Sequence, residues 1–263
     1  MATTRLSIGA DLAETPTIRK VGPADLREAL REGFADFAAM PTHLVFLGLI
    51  YPVIGLVIGR LVFGYEVLPL LFPLAAGFAL IGPFAALGLY ELSRRREAGL
   101  DTGWKHAFDV FRSPSFAAIA ALGLLLVVIF LIWIAAANAI YVASFGYQPA
   151  ASIPDFLDQV FNTPEGWRLI IVGNGVGLLF AVLVLLLSVV SFPLLLDRQV
   201  SPAVAMLTSV RAVLANPLAM TLWGVIVAAF LVVGMLPFFL GLAIIVPILG
   251  HATWHLYRKV VEP

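Results

Sequence analysis

Long apolar runs alternate with short charged stretches along this chain, and six of the runs are long enough to cross a bilayer as helices. A hydrocarbon core of about 30 Å takes roughly 20 apolar residues in helical form. The runs fall near 44–63, 67–92, 115–145, 167–196, 218–235 and 237–257. Only Gly234-Met235-Leu236-Pro237 separates the last two, and it reads as a tight turn, because a single helix through it would overshoot the bilayer with a proline at its middle. The third and fourth runs exceed the required length, so they tilt or extend beyond the lipid.

Amphipathic stretches precede three of the entries. Leu26, Leu30, Gly33, Phe34 and Phe37 share one helical face before Pro41, opposite Arg27, Glu28, Arg31 and Glu32. Before Pro114, Trp104, Ala107, Phe108 and Phe111 recur at i, i+3, i+4 and i+7; before Pro217, Val204, Leu207, Val210 and Leu214 follow a capping Ser201-Pro202 pair. Each reads as a helix lying apolar face down on the membrane interface, broken by proline where the chain turns into the bilayer. Asp36 and Asp109 each stand five residues before the proline of their unit, and Pro83 and Pro247 are each followed eleven residues later by an arginine, Arg94 and Arg258. The stretch 152–161 reads as a capped helix on the opposite side, with Thr163 capping the fourth run; a lipid surface or a partner both suit its apolar face.

Charge orients the pattern. Of the 16 Lys and Arg, only Arg60 and Arg168 fall on one side, while Arg5, Arg19, Lys20, Arg27, Arg31, Arg94, Arg95, Arg96, Lys105, Arg112, Arg198, Arg211, Arg258 and Lys259 fall on the other. Positive charge is retained inside, so both termini are expected in the cytoplasm of a bacterial cell, with the chain multi-pass in its inner membrane. The expected fold is an all-α membrane protein of six transmembrane helices in three hairpins, each hairpin preceded by a cytoplasmic amphipathic interfacial helix. Residues 1–22 read as a disordered tail without a signal peptide, and 23–260 as one domain with repeat-like units at about 23–92, 101–196 and 201–258. Composition agrees. The chain is 61% hydrophobic and 12% charged, against roughly 45–50% and about 25% for soluble domains. It contains no cysteine, which excludes disulfides, thiolate metal sites and a cysteine nucleophile.

Candidate chemistry is sparse. His43, His106, His251 and His255 all fall in the cytoplasmic half, and His251 and His255 share one helical face at i, i+4. Such a pair can hold a metal ion given a third ligand, or one axial position of a haem with another histidine such as His43 opposite; it can also handle protons. With Trp254, Tyr257, Arg258 and Lys259 it reads more simply as an interfacial belt of amphipathic rings above snorkelling cations. Among the few polar residues within the long apolar runs, Glu91 can pair with Arg94-Arg95-Arg96 and Arg60 with Glu66. Asn138 lies in the third run and Asn174 in the fourth, inside Gly173-Asn174-Gly175-Val176-Gly177, where small residues allow close helix approach. The two asparagines read as a hydrogen-bonded packing pair or as a polar substrate site.

The run from Ile18-Arg19-Lys20-Val21 to Pro41, the long middle spans, and above all the closing run from Pro247 through Gly250-His251-Ala252-Thr253-Trp254-His255 to Arg258 resemble the bacterial integral membrane family known as domain of unknown function 2189. The resemblance implies a multi-span membrane protein, some members of which carry a cytochrome c oxidase label. Four histidines fall short of the six that an oxidase subunit needs for two haems and a copper. The expectation is a non-enzymatic membrane protein without a catalytic residue, acting through membrane partners or as a homo-oligomer, with an accessory or assembly role at a respiratory complex. A small-solute or lipid transporter or channel is the alternative, and a haem or metal binder a weaker one. The cofactor is unknown, and no nucleic-acid partner is expected.

Overall fold

A computed structural model describes residues 16–40, 69–70, 73–74, 80, 82–84, 86–147, 152–237 and 240–262. The first expected span and part of the second lie outside them, with Pro41, His43 and Arg60. The described residues are helical apart from connecting turns and one isolated backbone bridge between Ile18 and Val261. In chain order the elements are α1 (Pro23–Ala39), α2 (Leu87–Glu97), a 3-10 helix (Trp104–Arg112), α3 (Phe116–Phe145), α4 (Ile153–Asn162), α5 (Pro164–Ser188), α6 (Ser191–Asp197), α7 (Pro202–Ala215), α8 (Pro217–Met235) and α9 (Leu242–Val260).

Among the described residues, three segments are long and apolar enough to cross a membrane: α3 with 30 residues, α5 and α6 together with 34, and α8 with 19. At about 1.5 Å per residue α3 runs to roughly 45 Å, well beyond the hydrocarbon core. The α5–α6 segment solves its excess length with a break at Val189-Val190. Pro193 has no N–H to return to the carbonyl four residues back, and the helix restarts at Ser191. The expected turn after α8 is present, and its glycines allow it: a Cβ on Gly241 would lie 2.9 Å from the Gly234 backbone. Local capping follows the sequence closely. Ser152 Oγ accepts the Asp155 N–H at the start of α4, and Thr163 Oγ1 accepts the Gly166 N–H at the start of α5.

The interfacial helices depart from expectation. The 3-10 helix leaves Trp104, Phe108 and Phe111 exposed, and α1 leaves Phe34 of its expected apolar face exposed. In α1 the covered stripe is Leu26, Ala29, Gly33 and Asp36, and it is covered by protein rather than lipid. Helix α1 docks on α9 in the most extensive helix–helix interface among the described residues. Gly33 sets the separation: a Cβ there would stand 2.5 Å from the Ala252 amide nitrogen. In α7 the buried face is the small-residue row Val204, Ala205, Thr208, Ser209 and Ala212, while Leu214 is exposed. Hydrophobic periodicity reports that a helix has an apolar face but not what covers it, and here neighbouring helices compete successfully with the bilayer.

From residue 16 the tail is tied down as well. Arg19 N–H bonds Val260 O at 2.7 Å and Glu262 N–H bonds Thr17 O at 3.1 Å. Asn216, buried between α7 and α8, accepts Val21 N–H at 2.9 Å and donates to Arg19 O at 3.0 Å. The start of α1 and the end of α9 therefore lie on one face of the molecule. Gly33→Ala is expected to push α1 off α9 and cost about 1–3 kcal/mol, as overpacking does. Gly224→Ala, where a Cβ meets only ordinary contact at 3.5 Å, is expected to cost nothing. Thermal denaturation of the two detergent-purified variants checks the contrast.

Candidate functional site

Helical register alone buries Asp36, since it continues the stripe Leu26, Ala29, Gly33 at i, i+3, i+7 and i+10. A carboxylate in such a position must be paired. Three donors meet it from two other helices. Ser93 on α2 donates Oγ–H to Oδ2, Arg96 on α2 donates to Oδ1 at 2.8 Å, and His255 on α9 contacts Oδ2 through Nε2 at 2.9 Å. His251, one turn earlier on α9, is fully buried and reaches Asp36 through Ser93, with Nδ1 2.8 Å from Ser93 Oγ. Because the hydroxyl proton goes to Asp36, Nδ1 of His251 is the donor to Ser93. Its Nε2 then carries a lone pair with no hydrogen-bond partner among the described residues.

A rim of ion pairs surrounds this cluster. Lys259 lies 3.0 Å from Glu28 and 3.4 Å from Glu32, joining α9 to α1 a second time. Glu97 accepts Trp254 Nε1–H at 3.1 Å and Arg258 Nε–H at 3.0 Å, joining α2 to α9. Between them opens a cavity of about 440 Å³ lined by Glu32, Asp36, Ser93, Arg96, His255 and Lys259, among others.

The hydrogen bonds tie α1, α2 and α9 together, and their wiring differs from that of a serine triad. In a serine triad the imidazole takes the hydroxyl proton and the carboxylate orients the imidazole. Here Ser93 already hands its proton to Asp36. Burial pushes the Asp36 carboxyl up, but hydrogen bonds from His255 and Ser93 and the neighbouring imidazole charges outweigh it and hold the group below its ordinary value of 3.8. A carboxylate held down in this way is a poor base and a strong acceptor.

Of the sequence candidates, His251 and His255 do come together beside Asp36, His255 directly and His251 through Ser93. Among the described residues no group of three or more histidines and carboxylates has the geometry to hold a metal. Of the expected interfacial belt, His251 and Trp254 are 0% exposed and Tyr257 1%, so these three rings face protein rather than headgroups, with α1 and α2 packed on α9. His43 lies outside the described residues. Asn138 and Asn174 are both exposed, and no hydrogen bond joins them; Asn174 Nδ2 instead donates to Ile170 O of its own helix at 2.7 Å. Asp36, Ser93 and Arg96 had no assigned role in the sequence reading. The available signal was a carboxylate falling on an apolar stripe.

Removing Asp36 strands Arg96 and both imidazoles around a missing charge. Asp36→Ala is expected to lower stability by about 3 kcal/mol and Asp36→Asn, which keeps the shape, by about 1–2 kcal/mol. The folded carboxyl titrates below the unfolded one, so its contribution is complete above about pH 4 and lost as pH falls through the folded value. Denaturation midpoints should therefore drop more steeply with acid in the wild type than in Asp36→Asn.

Residues 71–197 match the model of a family described as a predicted integral membrane protein, domain of unknown function 2189. No curated protein and no solved structure matches the chain. The matched stretch carries Ser93, Arg96 and two of the three long apolar segments, and leaves Asp36 and the histidine pair outside. Over residues 71–197 the chain is similar to this family of predicted integral membrane proteins, the one its closing run also resembles.

Proposed function

We propose that this is a non-enzymatic, six-span protein of the bacterial inner membrane that works by docking other membrane helices, with both termini in the cytoplasm. The observation that carries the reading is the outward face of α5. Asn174 stands about 15 Å from the start of that helix, within the stretch that crosses the bilayer. It is exposed, and a Cβ on Gly173 or Gly175 would meet nothing within 4 Å. Its hydrogen bond to Ile170 O leaves the carbonyl oxygen and one amide hydrogen without a partner among the described residues. Lipid tails cannot satisfy those groups, whereas a second helix brought close over the glycines can. Asn138, exposed on α3 about 10 Å from its end, adds a second polar group at similar depth. Gly177, by contrast, already faces a neighbour inside the chain, since a Cβ there would stand 3.1 Å from the Trp133 ring.

The shared face of the chain ends, together with the arginines gathered there, supports the cytoplasmic placement. The wiring of Ser93 supports a non-catalytic role. An accessory or assembly role beside a respiratory complex is the setting that the family label suggests.

The absence of native cysteine makes a direct test clean. Asn174→Cys, oxidised or treated with a short bis-maleimide in native membranes, is expected to shift to a cross-linked species containing a second copy or another membrane protein. Val225→Cys, exposed on α8, serves as the lipid-facing control. If both variants run as monomers, the docking reading fails, and flux measurements across a panel of solutes become the informative experiment.

A further inference from the structure

A second hollow, of about 290 Å³, lies away from Asp36, where the 3-10 helix turns through Ser113-Pro114-Ser115 into α3. Four arginines set its chemistry: Arg94 and Arg95 from α2, Arg112 from the 3-10 helix and Arg198 from the end of α6. Three carboxylates also line it, and each is already engaged, Glu91 and Asp109 in part by the hollow's own Arg94 and Arg95. Glu91 takes two hydrogen bonds from Arg94 at 2.8 Å, Asp109 pairs with His106 Nδ1 at 2.6 Å, and Asp197 accepts the Tyr257 hydroxyl at 2.6 Å. Arg112 and Arg198 come no nearer to a carboxylate than 3.6 Å and 3.7 Å, beyond hydrogen-bond range. Arg198 spends one donor on the Glu262 carbonyl, and the side chain of Arg112 is 87% exposed. Two permanently charged forks from different elements therefore meet at one hollow with most of their donors unused on side chains.

The surroundings say where that hollow sits. Trp104, Phe108 and Phe111 form an uncovered aromatic row, with ring centroids 6.2 Å and 6.3 Å apart. Phe111 meets Phe116, the first residue of α3, at 5.4 Å. An exposed aromatic row that runs directly into a bilayer-crossing helix lies at the membrane surface. Arg112 neighbours Phe111, so the hollow opens at headgroup depth.

We propose that this hollow seats the phosphate of an anionic phospholipid headgroup, held by Arg112 and Arg198, with the acyl chains running along Phe108 and Phe111. Planar guanidinium forks match phosphate oxygens, and basic pockets beside spans suit acidic lipids. A zwitterionic headgroup would bring its ammonium against Arg94 and Arg95, and the occupied carboxylates offer it little in return. The aromatic row selects a lipid over free phosphate.

The test uses the full chain, delipidated in mild detergent and examined by native mass spectrometry with phosphatidylglycerol, phosphatidylcholine or inorganic phosphate. One phosphatidylglycerol is expected to be retained at least ten-fold more tightly than phosphatidylcholine. The double substitution Arg112→Gln, Arg198→Gln should weaken that retention about ten-fold or more, while Arg168→Gln, exposed on α5, leaves it unchanged. Should the double variant not fold, Arg112→Gln alone decides, since its exposed side chain has no short contact to lose. Equal retention of the two lipids, undiminished retention in the arginine variants, or binding of inorganic phosphate without lipid would overturn the assignment.

Discussion

A carboxylate buried at a three-helix junction is the constraint from which the described part of this fold follows. Asp36 cannot be left unpaired in an apolar interior, where an isolated ionised group costs several kcal/mol. Its partners must arrive from fixed directions: Ser93 and Arg96 from α2, His255 from α9. Meeting that demand fixes the rotation of α1, the depth of its approach to α9, and the register of α2 against both. The Gly33–Ala252 contact and the Ile18–Val261 bridge are compatible with only that arrangement. The ion pairs of Lys259 and Arg258 lie at the edge of the cavity, where such pairs are worth a fraction of a kcal/mol to about one. They decorate the interface rather than define it.

Arg94, Arg95 and Arg96 distribute this logic over three elements. Arg96 goes to Asp36 on α1, Arg95 to Asp109 on the 3-10 helix, and Arg94 stays on α2 with Glu91. Asp36 and Asp109 occupy the same place in their sequence units, and each gathers an arginine and a histidine, His255 for one and His106 for the other. Asp36 and Asp109 are thus two carboxylate hubs fed by one arginine run. They differ in burial. Asp36 is enclosed by α9, whereas Asp109 remains at the surface beside the arginine-lined hollow. One hub locks helices together, and the other leaves donors free for a ligand.

The long apolar helices behave differently from this junction. Much of the surface of α3, α5 and α8 is uncovered leucine, valine and isoleucine, as suits contact with lipid or with other spans. Against that background an outward-facing asparagine flanked by open glycines is the exception. Polar locking is thus gathered at the charged end, and uncovered apolar surface lies along the long helices.

Sequence alone determined the features that depend on neighbours a few residues away. The caps of Ser152 and Thr163, the turn before Pro237, the extents of α3 and α8, and the membrane class all follow from local hydrogen-bonding chemistry and from the length of apolar runs. Tertiary structure decided what covers each face. The stripe on α1 read as lipid-facing because periodicity measures apolarity and not its partner. His251 and His255 read as a belt or a metal pair because the element that engages them lies more than 200 residues earlier in the chain. The residue that organises the site could be seen in the sequence only as a carboxylate out of place. Its role depends on three side chains that folding alone brings within hydrogen-bond distance.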